Sequence, residues 1–127
     1  MLLAKGQKVL IVDDEQSTSD TLATIFNLAG YEARATYSAE KAIEIIQDWQ
    51  PSLVILDVVL PKMSGIELAI DLAGRAPSCQ ILLFSGNPNT AQLARAAAQA
   101  GHLFDILEKP VHPEFMLQKA SQLLSVH

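Results

Sequence analysis

The sequence is poor in several features that mark particular classes of protein. It contains a single cysteine, Cys79, which excludes an internal disulfide and a cysteine metal site. Its 9 lysines and arginines are outnumbered by 14 acidic residues, and the formal charge of -5 argues against a nucleic-acid surface. No apolar run is long enough to cross a membrane, and the apolar stretch Leu2-Leu3-Ala4 is too short for a signal peptide. We therefore expect a cytoplasmic protein with neither nucleic acid nor a membrane as its partner.

Histidine is also scarce. His102, His112 and His127 show no metal-ligand spacing, so we expect them at the surface. Half of the residues are hydrophobic and only 18% are charged, which suits a sheet covered on both faces better than a disordered segment. Its 127 residues have the length of one domain, and we predict a single domain over residues 1–127.

The most informative stretch is Leu53-Val54-Ile55-Leu56-Asp57. Its four apolar residues fit a strand buried on both faces, and Asp57 ends that strand. Pro61, Ser64 and Gly65 then break the chain into a loop. A carboxylate at the carboxyl end of a central strand lies in the crevice where open α/β sheets bind ligands. Taken alone, however, Asp57 would only mark where the strand leaves the core, so partners are needed from other strands.

Strands and helices alternate along the chain. Short apolar or β-rich runs predict five strands, and apolar residues at helical spacing predict five helices. The strands are Lys8–Val12, Glu32–Thr36, the run ending at Asp57, Gln80–Phe84 and Phe104–Glu108, and the helices cover 21–29, 38–47, 64–73, 91–100 and 114–124. This alternation favours a parallel sheet with helices on both faces. The polar second strand and the mixed fifth strand fit edge positions, which gives a doubly wound, flavodoxin-like α/β fold with strand order 2-1-3-4-5.

In that strand order, chemically active side chains follow neighbouring strand ends. The first strand runs into Asp13 and Asp14, the third ends at Asp57, the fourth is followed by Ser85 and the fifth by Lys109. One acid would be enough to cap the first helix. Three carboxylates close together repel one another unless a cation joins them, and Mg²⁺ suits such oxygen ligands. The lysine and the serine hydroxyl suit an anion that arrives next to the third carboxylate.

These residues resemble one known family. In their order and at the ends of successive strands, they are similar to the response-regulator receiver domain of two-component signalling, and the likeness runs from Lys8 to Leu124. The motifs that carry it are Asp13-Asp14, Asp57 with Pro61 and Gly65 downstream, Ser85-Gly86, and Lys109-Pro110. Each motif is weak alone, but their number, order and placement are specific.

The resemblance implies a phosphoacceptor switch rather than a turnover enzyme. Asp57 would take a phosphoryl group from a phosphohistidine on a sensor histidine kinase or a histidine phosphotransfer protein. Asp14, Asp57 and the backbone carbonyl of Val59 would bind Mg²⁺ directly, and Asp13 would act through a bound water. The domain would assist its own phosphorylation and dephosphorylation.

The resemblance also implies roles for the other two side chains and for the output. Lys109 would pair with Asp57 before transfer and with a phosphoryl oxygen afterwards, and Ser85 would donate a hydrogen bond to another phosphoryl oxygen. The Lys109–Pro110 bond would be cis. Movement of Ser85 would repack the face formed by the predicted fourth helix, fifth strand and fifth helix, and so alter binding to a downstream protein that the sequence does not name. A homodimer is compatible with this scheme.

One position departs from the family's pattern. Receivers usually carry tyrosine or phenylalanine three residues before the lysine, and here that position holds Ile106. The segment from Gly101 to Lys109 is also one residue longer than usual. We hypothesise that Phe104 or Ile106 replaces the aromatic switch. Comparing both side chains with and without a phosphoryl analogue tests this, and the hypothesis is wrong if neither moves.

Three other functions are alternatives to a phosphorylated receiver. A receiver-like interaction module that works without phosphorylation would explain the missing aromatic residue. An aspartate-nucleophile phosphatase of another α/β family would usually carry a second aspartate two residues after the nucleophile, and that residue is Val59 here. A nucleotide-binding domain would need a phosphate-binding glycine loop after the first strand, which leads into acids instead.

Overall fold

Alternating apolar strands and amphipathic helices build the fold. The computed structural model describes residues 6–86, 104–109 and 111–124, together with 92, 95, 98, 99 and 101. In chain order the elements are β1 Lys8–Val12, α1 Gln16–Leu28, β2 Glu32–Thr36, α2 Ala39–Asp48, β3 Leu53–Asp57, α3 Gly65–Arg75, β4 Gln80–Ser85, β5 Asp105–Glu108 and α4 Pro113–Leu124. No helix in the described ranges is long and apolar enough to cross a membrane.

The five strands form one parallel sheet in the order β2-β1-β3-β4-β5. This confirms the predicted fold class and strand order. β3 and nearly all of β1 and β4 are buried, whereas β2 and β5 are partly exposed. The apolar strands take the centre because both of their faces are covered there, and the mixed strands take the edges.

Side chains of the central strands enter two apolar cores, because successive strand residues alternate between the faces of a sheet. Leu10 and Val54 belong to the core under α2 and α3. Ile55 and Phe84 belong to the core under α1 and α4. Asp57 follows Ile55 by two residues and therefore lies on the α1 and α4 side, at the carboxyl end of the sheet.

Helix α1 begins at Gln16, whereas apolar spacing predicted a start at Thr21. Its first turn is polar and mostly exposed, so it carries no apolar signal. Ser19 is different because it is buried, and its hydroxyl donates a shared hydrogen bond to the carbonyl oxygens of Ile11 and Thr36, at 3.1 and 3.2 Å. A polar residue thus ties this part of the helix to β1 and β2.

Several predictions fall outside the described residues, among them the surface positions expected for His102 and His127. The alanine-rich helix over 91–100 is described only at residues 92, 95, 98 and 99, all of which are helical. Pro110 is not among the described residues, so the cis bond that the resemblance implies for Lys109–Pro110 lies outside them as well. All of these stay predictions.

Trp49 packs near the start of β3, at the opposite end of that strand from Asp57. It is nearly buried, and its indole Nε1 donates to Glu32 Oε2 over 3.1 Å. The Arg34 guanidinium lies 4.4 Å from the ring centroid and the Lys8 ammonium 5.9 Å from it. These contacts join the end of α2 to β1 and β2.

Candidate functional site

The carboxyl edge of the sheet gathers acidic and basic side chains that are far apart in the sequence. Asp13 and Asp14 follow β1, Asp57 ends β3 and Lys109 follows β5. Because the strands are parallel, these ends meet at one edge of the sheet. The structure brings the three carboxylates and the ammonium group together, as the strand order predicted.

Asp57 is held by contacts to both of its carboxylate oxygens, and it is only 6% exposed. Lys109 Nζ donates to Oδ2 over 2.8 Å, and the backbone N–H of Val59 donates to Oδ1 over 3.0 Å. A buried carboxylate needs such partners because an unpaired charge there is strongly unfavourable. The two contacts fix the orientation of the carboxylate at the end of β3.

Asp13 is buried more deeply, at 1% exposure. Its Oδ1 accepts a hydrogen bond from the backbone N–H of Glu15 over 3.0 Å. Its Oδ2 has no hydrogen-bond partner among the described residues and lies 3.8 Å from Lys109 Nζ. Buried polar atoms are nearly always hydrogen-bonded, so this oxygen is available to a further donor or to a cation.

Burial and the charges of the site shift two pKa values. Burial raises the pKa of Asp13, and the negative charge of Asp57 adds to that effect. The Glu15 N–H and the Lys109 ammonium oppose the shift without outweighing it. Burial also lowers the pKa of Lys109, but the hydrogen bond to Asp57 and the charges of Asp57 and Asp13 outweigh burial and leave that pKa raised. The lysine therefore stays protonated at neutral pH.

Three carboxylates share the site with one ammonium group. One oxygen from each of Asp13, Asp14 and Asp57 lies within 4.8 Å of the others. With all three acids ionised and Lys109 protonated, three negative charges and one positive charge leave two negative charges. Mg²⁺ prefers hard oxygen ligands and keeps positions for water and phosphate oxygens. The excess negative charge and the unsatisfied carboxylate oxygen of Asp13 both fit a divalent cation of this kind.

Gly65 allows helix α3 to begin directly against the strand that carries Asp57. Its N–H donates to the Val58 carbonyl oxygen over 2.6 Å. A β-carbon at this position would overlap the Asp57 carbonyl oxygen and lie 2.7 Å from Val58 Cα. Ser64 caps the helix, and its Oγ accepts from the N–H of Glu67 over 3.1 Å. Only glycine permits this close approach of two backbone segments.

Comparison with known protein families agrees with this arrangement. A family model described as the response regulator receiver domain matches residues 9–121. The chain belongs to the receiver-domain family. Receiver domains are signalling modules that interact with kinases or phosphotransfer proteins and with downstream targets, and they typically bind Mg²⁺ at an acidic pocket. The phosphatase of another family and the nucleotide-binding domain are thereby set aside.

Curated relatives carry a receiver as one part of a longer chain. This receiver is 31% identical over 116 residues to a cyclic di-GMP phosphodiesterase of Thermotoga maritima, a match that covers 91% of this chain and 30% of that protein. It is 30% identical over 106 residues to the regulator of RpoS of Escherichia coli K12, covering 84% of this chain and 31% of that protein. The receiver thus spans about a third of the length of these relatives.

Solved receiver structures share the fold over nearly the whole chain. A CheY-like response regulator receiver domain from Methanospirillum hungatei JF-1 superposes with a TM-score of 0.85 at 26% identity, covering 94% of both chains. The receiver domain of NtrX from Brucella abortus gives a TM-score of 0.82 at 30% identity, covering 94% of this chain and 99% of that one.

Two further predicted residues of the receiver lie next to Lys109 and Asp57. Ser85 ends β4 and is buried, and its carbonyl oxygen accepts from the backbone N–H of Lys109 over 2.9 Å. Val59 is 55% exposed, and the backbone group that contacts Asp57 is its N–H. The roles implied for the Ser85 hydroxyl and the Val59 carbonyl oxygen stay predictions.

The position of the usual aromatic switch lies within β5 of this receiver. Ile106 is paired with Leu83 of β4. Ile106 and Phe104 are both partly buried and pack against the core under α2 and α3. Both candidates for the switch therefore lie on the sheet face opposite the Asp57 side chain, and the hypothesis that one of them replaces the aromatic switch stays untested.

The sequence alone placed Phe84 only in a buried strand, yet this side chain contacts the receiver pocket. The Lys109 ammonium lies 4.8 Å from the centroid of its ring. A signal for this contact was available, because strand alternation and the order 3-4-5 put Phe84 on the same sheet face as Asp57 and between it and the lysine.

A cleft of about 590 Å³ opens between α1 and α4, directly beside the pocket of the receiver. Thr21 and Ile25 of α1 and Met116 of α4 line its walls, and Phe84 and Lys109 line the end nearest Asp57. The cleft therefore reaches the side of the pocket formed by Phe84 and Lys109.

Proposed function

We propose that this receiver is a signalling switch that accepts a phosphoryl group on Asp57. The observation that carries the proposal is the buried Asp57 carboxylate, with the Lys109 ammonium 2.8 Å from one oxygen and two further carboxylates within 4.8 Å. Phosphoryl transfer depends mainly on positioning and on neutralising charge, and this group of side chains supports both.

Asp13, Asp14 and Asp57 would hold Mg²⁺, together with the carbonyl oxygen of Val59. When bound, the ion would neutralise the excess negative charge and allow an anionic phosphoryl group to approach a carboxylate. The Asp57 oxygen forms the new P–O bond as the P–N bond of a donor phosphohistidine breaks, and the electron pair of that bond leaves with the imidazole. Lys109 then exchanges its hydrogen bond to Asp57 for one to a phosphoryl oxygen.

Phosphorylation of Asp57 would alter the surface that a downstream protein binds. Ser85 ends β4 beside this pocket, and its carbonyl oxygen accepts a hydrogen bond from the backbone N–H of Lys109, the residue after β5. A hydrogen bond from the Ser85 hydroxyl to the phosphoryl group would displace the end of β4 and the segment that follows it. The surface of β5 and its neighbours then changes, and binding to a downstream protein changes with it.

The donor we propose is a sensor histidine kinase or a histidine phosphotransfer protein in the cytoplasm. The cleft between α1 and α4 adjoins Lys109 and gives such a donor an approach to the pocket. The downstream target is a protein rather than nucleic acid or a membrane, in keeping with the acidic charge of the chain. A homodimer formed after phosphorylation is a further state that this scheme includes.

A second candidate function is an interaction module that works without phosphorylation. Ile106 favours it, because receivers usually carry at this position a tyrosine or phenylalanine that moves when the serine moves. In that case Asp57 would not be phosphorylated, and binding to the partner would be the same with or without a phosphoryl donor.

Labelling with a small phosphodonor such as acetyl phosphate separates the two candidates. We expect the wild type to gain one phosphoryl group by mass spectrometry when Mg²⁺ is present and much less after chelation. Asp57→Asn should gain none, whereas the matched change Asp48→Asn, at the exposed end of α2, should label like the wild type. Absence of wild-type labelling with both donor and Mg²⁺ would favour the interaction module.

A further inference from the structure

Lys109 must cross a strand to reach Asp57. Asp57 ends β3 and Lys109 follows β5, and β4 lies between these two strands. Neighbouring strands are about 4.8 Å apart, so the lysine bridges roughly 10 Å from its own strand to the carboxylate. The residue of β4 in register with Asp57 is Phe84, and on its other side Phe84 is in register with Leu107.

Phe84 lies on the same sheet face as the two side chains that meet above it. Residues in register on parallel neighbours point to the same side, and Phe84 and Leu107 both pack into the core under α1 and α4. Phe84 is 2% exposed. Its buried ring therefore lies under the Lys109 side chain. The Lys109 ammonium lies 4.8 Å from the ring centroid and at the same time donates to Asp57.

The face of an aromatic ring has a negative electrostatic potential and attracts an ammonium group, most strongly where water is partly excluded. We propose that Phe84 is a positioning residue for the phosphoryl transfer proposed above, holding the Lys109 ammonium over the end of β4 and directed at Asp57. An aliphatic side chain would fill the same core space without this attraction. The lysine would then be held only by Asp57 and Asp13, and its side chain would be less ordered even before a phosphoryl group engages the Asp57 carboxylate.

The inference rests on the proposed function for its kinetic consequence, but the placement of Lys109 can be measured without any phosphodonor. Phenylalanine at position 84 is replaced site-specifically by its 4-fluoro, 3,5-difluoro and 3,4,5-trifluoro forms. These keep the volume of the ring and progressively weaken its electronegative face, so the buried core is preserved. Phe26 provides the matched control, because it is buried in the same core and its ring packs against Tyr31 at 5.2 Å between centroids.

The first measurement is the order of the Lys109 side chain, by NMR relaxation of its ε-carbon, in protein without phosphodonor. We expect order to fall stepwise with fluorination at 84 and to stay constant with fluorination at 26. The ε-protons of the wild type should also show the upfield shift of nuclei that lie over a ring. Unchanged lysine order across the series at 84, or the lack of an upfield shift, would overturn the inference.

The second measurement is the rate constant of labelling by acetyl phosphate at saturating Mg²⁺. We expect a decline of about threefold to tenfold across the series at position 84 and no decline across the series at 26. Equal rates throughout would show that the ring only fills space, and the inference would be wrong. If the wild type is never labelled, the proposed function fails, and the NMR series still decides whether Phe84 positions the lysine.

Discussion

At the scale of single residues, the pocket gives up stability in order to hold charge. Asp13 is buried with one unsatisfied oxygen, and it shares the site with two other carboxylates and a single ammonium group. We expect such an arrangement to destabilise the fold, and the Mg²⁺ proposed for this site would relieve the repulsion between the carboxylates.

Replacing Asp13 by asparagine should stabilise the protein. A raised carboxyl pKa means that the unfolded chain ionises first as the pH rises from 3.8, so ionisation of Asp13 favours unfolding above that pH. We expect Asp13→Asn to gain about 1 kcal/mol in urea unfolding at pH 7 without Mg²⁺, and the gain to vanish below pH 3.8. Asp48→Asn is the control, and an equal gain there would contradict this account.

Lys109 should act in the opposite direction. Its raised pKa means that the folded state keeps the proton longer, so its contribution is fully present below pH 10.5 and is lost as the pH rises through the folded-state value. The side chain is about one-third exposed, so after solvent screening we expect Lys109→Gln to lose only about 1 kcal/mol at pH 7. The loss should disappear in strongly alkaline solution. Lys62→Gln, which removes an exposed ion pair with Glu40, should have little effect at either pH.

The single thiol should be almost inert in the folded protein. Burial raises the pKa of Cys79 to about 12, which leaves about one thiolate in ten thousand at pH 8. We expect a disulfide reagent to label the native protein very slowly at pH 8 and to label the urea-unfolded protein within the mixing time. Cys79 is only partly buried, so rapid labelling of the native protein would contradict the raised pKa.

At the scale of elements, the junction between β3 and α3 is a tightly constrained contact near the pocket. Two backbone segments meet where Gly65 opens the helix, and neither can move without shifting the strand end that carries Asp57. The geometry of the carboxylate therefore depends on a residue that has no side chain.

Gly65→Ala tests this junction, with Gly74→Ala in the same helix as its control. The new β-carbon at 65 would meet backbone atoms of Asp57 and Val58, so we expect a loss of more than about 2 kcal/mol and slower labelling of Asp57. At 74 a β-carbon meets nothing within 4 Å, and alanine should stabilise the helix by about 0.5–1 kcal/mol. Both values come from urea unfolding, and similar effects at the two positions would contradict the steric explanation.

The elements could be predicted where a single strand or helix carries its own signal. The apolar runs of β1, β3 and β4 gave their burial and central position, and the order of the strands placed Asp13, Asp57 and Lys109 at one edge. The start of α1 was missed because Ser19 is buried through hydrogen bonds rather than apolar contacts. The Phe84 contact follows only when strand alternation is combined with strand order, because it depends on the path that the lysine takes across a neighbouring strand.

At the scale of the whole molecule, the charged pocket and the apolar cores occupy different parts of the sheet. All the charged groups of the pocket lie at the carboxyl ends of the strands, and the two apolar cores lie on the faces behind them. The same module forms about a third of the relatives from Thermotoga maritima and Escherichia coli. A receiver with this division can keep its pocket while its outer surfaces differ from one protein to the next.

The lone tryptophan gives this molecule an internal gauge of integrity. Leu53 and Asp57 are four residues apart along β3, which is about 13 Å, and the indole of Trp49 lies beyond the Leu53 end of this strand. Its emission should therefore shift to the red when the chain unfolds and remain steady when ions or phosphodonors reach the acidic edge. Every variant considered above can thus be checked for an intact fold in the same cuvette in which its chemistry is followed.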